Sequence, residues 1–167
     1  MWKEKFKEML PLLGHRNWVL VVDKAFPLQS ASEMRYFDTG QELPEILSFV
    51  LEEIVNSGHL KPVVYRDKEL GFLSGCGNPE IAEYKQKLNI ALSTLNGPVG
   101  CNEILHDDVF GKMKSASDLF VIIVLKTETR IPYSSVFIEL GCGYWNDDAE
   151  ARLRKEITVS SERPEVG

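Results

Sequence analysis

Histidine is the side chain best suited to moving a proton near neutral pH, its ordinary pKa being about 6.5, and the chain has only three: His15, His59 and His106. His15 follows Gly14 and precedes the apolar run Trp18-Val19-Leu20-Val21-Val22, with Asp23 at the run's far end. The eight extended residues from His15 to Asp23 span roughly 26 Å. The two side chains therefore meet within one chain only if it bends between them; they could also meet across a subunit interface, or act separately. A loop histidine and a strand-end cap explain the same residues. His106 stands at a strand-to-helix junction ahead of Asp107 and Asp108, and such junctions at the C-terminal ends of strands are where α/β sheets place ligands. A neighbour of a helix cap in a solvated loop is the alternative. His59, in Asn56-Ser57-Gly58-His59, reads as a residue of a helix-terminating loop.

Ile131-Pro132-Tyr133-Ser134-Ser135 puts a phenol and two hydroxyls at the entrance of a strand. These are short donor–acceptor groups suited to a polyhydroxylated ligand, although a turn followed by a half-buried aromatic fits as well. Gly75-Cys76-Gly77 and Gly141-Cys142-Gly143 lack the strand, helix and third glycine of a dinucleotide site. Cys101 and His106 lie five residues apart across a strand end, poor geometry for a nucleophile and its base, and cysteine is commonly a small buried hydrophobe.

The elements that position these residues alternate between strand and helix, as in a sheet covered by helices. Trp2 to Leu13 spaces Phe6, Met9, Leu10 and Leu13 as an amphipathic helix. Trp18–Val22 is apolar throughout, the mark of a strand buried on both faces. A helix starts near Pro44 and carries Ile46, Leu47, Val50, Leu51 and Ile54 to a stop at Gly58. Pro62–Tyr65 makes a short strand. Asn78-Pro79-Glu80 opens a helix with Asn as its cap, and Gly97-Pro98 ends it. Val99–Leu105 reads as a strand, Asp107–Lys114 as a short helix, and Leu119–Leu125 and Ser134–Leu140 as the last two strands. After Asn146 the chain has little apolar periodicity and is expected to be partly loose. Residues 1–146 thus form one domain, with 147–167 a C-terminal extension.

At 167 residues the chain has the size of one ordinary domain. Its 44% hydrophobic and 26% charged content is that of a globular protein. A net charge of −6 argues against nucleic acid or an anionic membrane as the main partner. The longest apolar run, Leu119–Leu125, is far shorter than the roughly 18 residues that span a bilayer, and the N-terminus has no apolar signal core. Three widely spaced cysteines suit neither a disulfide framework nor a zinc site. A reducing cytoplasm is the simplest inference, and no metal is expected.

Four blocks together resemble the ribose pyranase / fucose mutarotase (RbsD/FucU-like) family. They are Gly14-His15 through Asp23 to Pro27; Phe37-Asp38 with Gly40 and Pro44; His106 with its acidic neighbour and Phe110; and Pro132-Tyr133-Ser134-Ser135 with its apolar strand and Gly141. The resemblance implies a single three-layer α/β domain, RbsD-like, with a mostly parallel sheet between helices. It implies assembly into rings, often decameric, and a cofactor-free monosaccharide site near a subunit interface. Ser135 stands where the family has Asn. Lys126-Thr127-Glu128 stands where it has Arg-(Ser/Thr)-Gly-Glu, and 66–81 has no placed counterpart. On this resemblance the catalytic residues are His15, Asp23, His106 and Tyr133, with Lys112 and Ser135 binding sugar hydroxyls. The implied activity is that of a mutarotase or pyranase-like isomerase. A sugar-binding or regulatory module without turnover is the first alternative, and a cysteine-dependent hydrolase using Cys101 or Cys76 the second.

Overall fold

The structure, a computed structural model, describes residues 1–30, 33–73, 78–93 and 101–162. Six strands form one sheet: β1 (Trp18–Val22), β2 (Met34–Asp38), β3 (Leu60–Asp67), β4 (Cys101–Ile104), β5 (Ile122–Lys126) and β6 (Val136–Cys142). Their spatial order is β2-β5-β1-β6-β3-β4. All pairings are parallel except those of β6, which runs antiparallel to both β1 and β3. The sheet is therefore mostly parallel, as expected.

Period-two alternation divides the sheet residues between two cores. Val19, Val21, Val64, Ile123, Leu125, Val136 and Ile138 pack against α1 (Trp2–Met9) with its 3₁₀ turn Leu10–Leu12, α2 (Leu43–Asn56), α3 (Glu69–Phe72) and α4 (Pro79–Ser93). Trp18, Leu20, Val22, Ile122, Val124 and Phe137 pack on the other face against Val109 and Met113 of α5 (His106–Ser117). Every residue of β1 is buried because β1 is central and covered on both sides.

The helices form for legible reasons. Ile46, Leu47, Val50, Leu51 and Ile54 of α2 are buried at helical spacing. Asn78 caps α4 by accepting the Glu80 N–H at 3.1 Å, and Glu83 and Lys87 pair at 3.0 Å along its exposed side. The stop expected at Gly97-Pro98 and the start of β4 at Val99 lie outside the described residues, as does Gly75-Cys76-Gly77. No helix among the described residues is long and apolar enough to cross a membrane.

Two elements carry little apolar signal in the sequence. Strand β2 gives no clear sequence signal, because Met34-Arg35-Tyr36-Phe37-Asp38 is a partly exposed strand at the sheet edge. Within the C-terminal extension, α6 (Asp147–Glu162) is helical with no buried residue. Local chemistry accounts for it. The Asn146 side chain accepts the Ala149 N–H at 2.7 Å, Asp147, Asp148 and Glu150 sit in the first turn, and Arg154 pairs with Glu150 at 2.8 Å.

Candidate active site

Four strands that are neighbours in the sheet, β1, β6, β3 and β4, bring their site residues to one edge. For the three parallel strands this edge is the C-terminal one; for the antiparallel β6 it is the N-terminal one. Asp23 follows β1, Asp67 ends β3, His106 follows β4 as the first residue of α5, and Tyr133 and Ser135 precede β6. From β1 the chain goes to β2 at one sheet edge, and α2 then carries it back across to β3 on the far side of β6. That reversal is the kind of crevice where open α/β sheets bind ligands.

His106 is gripped at two points. Its Nδ1 lies 2.8 Å from Oδ2 of Asp67, and its backbone N–H donates to both carboxylate oxygens of Glu69, at 3.1 and 3.0 Å. The second contact satisfies an N–H that the first turn of a helix leaves without a partner, so α5 starts at His106 rather than at Asp107. The imidazole remains partly exposed. Phe110 lies one helical turn along α5 at 4.7 Å between centroids, and Tyr133 meets the imidazole edge-on at 5.6 Å.

Asp67 is 1% exposed, and its Oδ1 has no hydrogen-bond partner among the described residues. Burial pushes its carboxyl up to about 6, against the opposing hydrogen bond and charge of His106, while Glu69 and Asp23 add to the rise. Asp67, Glu69 and His106 offer donor atoms within 4.8 Å of one another, the one such group among the described residues that could hold a cation. Both Glu69 oxygens and one Asp67 oxygen are already engaged with His106.

The Tyr133 backbone is in the left-handed region, at φ 56°, which costs a bulky residue energy and is found chiefly where function needs it. Buried Tyr84 of α4 anchors this turn by donating its O–H to the Ser134 carbonyl at 2.5 Å. Ser135 donates its O–H to Oδ1 of Asp23 at 2.9 Å and accepts the Asp23 N–H at 3.0 Å, joining the ends of β1 and β6. Thr127 donates to the Val22 carbonyl, and Lys24 pairs with Glu128 at 2.8 Å, so the loop from Lys126 is tied to the same strand end. A depression lined by Asp23, Lys24, Ala25, Arg130, Ile131 and Pro132 opens there. A separate acidic cleft lined by Glu42, Glu80, Glu83, Lys87 and Arg130 contains none of the expected site residues.

Of the residues expected from the sequence, Asp23, His106, Tyr133 and Ser135 gather at this edge. His15 does not: it is exposed in the turn before β1, where Arg16 donates its N–H to the Leu140 carbonyl at 2.9 Å, at the opposite edge of the sheet. Lys112 is exposed on α5 with its Nζ 5.5 Å from the Tyr65 ring centroid. Six residues on from His106, it projects about 120° around the helix from it. His59 is structural, its Nε2 lying 3.0 Å from the Leu13 carbonyl. Burial pushes the Cys101 thiol up to about 11, away from thiolate chemistry. Asp67 and Glu69 were missed, because the strand expected over 62–65 runs on to Asp67. Val63, Tyr65 and Asp67 share one face, and continuing that alternation would have found the carboxylate.

No protein-family model matches the sequence, and no curated protein matches it. Solved structures do. Bacillus subtilis RbsD complexed with D-ribose matches with a TM-score of 0.56 at 15% identity, over 82% of this chain and 91% of that one. This chain has the RbsD/FucU fold. FucU from Bifidobacterium longum matches at 0.53 and 15%, over 83% of this chain and 94% of that chain. The fucose mutarotase from Streptococcus pneumoniae, in complex with L-fucose, matches at 0.52 and 15%, over 82% and 91%. The RbsD/FucU fold accounts for the mixed sheet. At this identity the likeness concerns the fold, and the chemistry must be argued from the side chains.

Proposed function

We propose that the protein is a cofactor-independent monosaccharide isomerase of the mutarotase or pyranase type. The observation that carries this reading is the meeting of His106, Tyr133 and the Asp23–Ser135 pair at one sheet edge, with the imidazole held by a carboxylate at Nδ1. Ring opening needs one group to remove the anomeric hydroxyl proton and another to protonate the ring oxygen; closure reverses both transfers on either face of the aldehyde. Neither step requires electron transfer or a Lewis acid. His106 serves as a proton acceptor and donor through Nε2, and Tyr133 hydrogen-bonds near the ring oxygen. Asp23 binds hydroxyls or stabilises charge, and Ser135 positions it. His15 contributes from a neighbouring copy in a ring-forming homo-oligomer, where Lys112 binds a sugar hydroxyl. A positioned acid or base supplies about 10²–10⁴-fold, enough for a reaction that already runs slowly in water.

The second reading, a sugar-binding or regulatory module, draws support from Ser135. Its only hydroxyl hydrogen is given to Asp23, so it presents no donor to a ligand, where an amide making the same bond would keep one. Proton NMR saturation transfer between the anomeric signals of ribose, fucose, galactose, glucose and rhamnose separates the two readings. Enhanced exchange with one sugar, lost in His106→Ala, is expected of the isomerase. Line broadening without exchange would replace it with the binding module.

A further inference from the structure

We propose that Asp67 is the positioning residue for His106, holding the imidazole in the tautomer whose hydrogen is on Nδ1, so that Nε2 is the nitrogen available to the site. An ionised carboxylate can only accept hydrogen bonds. The nitrogen 2.8 Å from Oδ2 must therefore be the N–H, and its counterpart must carry the lone pair. In the neutral imidazole the two nitrogens have opposite roles, so the choice made at the buried one decides the chemistry of the other.

The burial of Asp67 argues that its charge has a purpose. The side chain is 1% exposed, Oδ1 meets no donor among the described residues, and Glu69 and Asp23 repel its charge. A residue kept only for packing would be apolar there, since an ionised, half-satisfied carboxylate is costly in such a place. Glu69 works alongside it by fixing the His106 backbone, so the ring is held at its root and at Nδ1. The remaining sides are set by Phe110 and Tyr133. What Nε2 does once presented rests on the isomerase reading; which nitrogen carries the hydrogen does not.

The test is a two-bond proton–nitrogen correlation spectrum of the full-length, ¹⁵N-labelled protein at about pH 8, where Asp67 is ionised. The His106 signals are assigned by their loss in His106→Ala. Expected is a neutral ring with a protonated Nδ1 and an unprotonated Nε2. Asp67→Asn keeps the shape but can donate as well as accept, and it should move His106 towards the Nε2–H form with the fold intact by circular dichroism. Any sugar exchange should fall in kcat roughly 10²–10⁴-fold, the range for a misplaced proton-transfer group. A wild-type Nε2–H tautomer, or identical His106 nitrogen shifts in a folded Asp67→Asn, overturns the proposal. The expected tautomers in a protein that exchanges no sugar would uphold it and overturn the isomerase reading, so the two failures are distinct.

Discussion

A carboxylate with one oxygen on an imidazole and the other without a partner among the described residues is a liability to the fold, and at Asp67 the liability has a pH dependence. The buried carboxyl is raised from 3.8 to about 6, with desolvation the largest cause, and His106, Glu69 and Asp23 are the charged groups facing it. Because the folded state holds this proton more tightly than the unfolded one, the associated stability is present below about pH 4 and lost as pH rises through about 6. Asp67→Asn should therefore be at least as stable as wild type at pH 7, with the advantage shrinking as pH falls towards 4. Urea midpoints for both proteins across pH 4–8 would check this, and a constant difference would refute it. Activity has the opposite demand, since ionised Asp67 can only accept from Nδ1–H whereas the protonated acid can also donate to Nδ1, so exchange should decline as pH drops below about 6. Tyr133 tells a similar story in the backbone. At φ 56°, a Cβ costs roughly 1–2 kcal/mol that glycine does not incur. Thermal unfolding should show Tyr133→Gly more stable than Tyr133→Ala by about that amount, while both lose exchange because neither carries the phenol.

At the level of elements, the site depends on supports that never face the ligand. Helix α4 is one: the Tyr84 O–H reaches the Ser134 carbonyl, between the two side chains that matter, and burial keeps that phenol protonated by raising its pKa. Tyr84→Phe removes a single buried hydrogen bond, so stability should fall by about 1–2 kcal/mol. Exchange should fall further than stability explains, as Tyr133 and Ser135 lose register; an unchanged rate would show the turn to be fixed by β6 alone. Periodicity and capping made much of this scaffold readable. The unbroken apolar run of β1, the buried stripe of α2 and the Asn78-Pro79 start of α4 each carry their own physical signature. The signature was missing where burial is partial, as at β2, or where stability comes from caps and ion pairs instead of burial, as at α6. For the site, Asp23 was visible because it follows an apolar strand, and His106 because it stands where a strand gives way to a helix. Asp67 was hidden because Tyr65 and Arg66 made β3 look finished too early. The Nδ1 contact joins residues 39 apart in sequence, a separation that local pattern does not reach.

The whole sheet imposes the constraint that most shapes the function. Its C-terminal edge holds Asp23, Asp67 and His106, and the N-terminal edge holds His15, with the full length of β1 between them. No side-chain motion closes a gap set by a buried central strand, so His15 can serve a site only by serving another molecule's. That geometry makes a sharp prediction for mixed assemblies. His15→Ala and His106→Ala should each be inactive alone, since each removes one half of every site. When the two variants are co-expressed with different tags and the mixed oligomer is purified, about a quarter of the interfaces should pair an intact His15 with an intact His106, as random assembly of equivalent subunits requires. Exchange should return to about that fraction of the wild-type rate. Full activity of His15→Ala alone would make the residue an ordinary turn histidine and confine the chemistry to one chain. Inactivity that mixing does not relieve would remove His15 from the intersubunit role, leaving the Asp67–His106 edge to account for the chemistry without it.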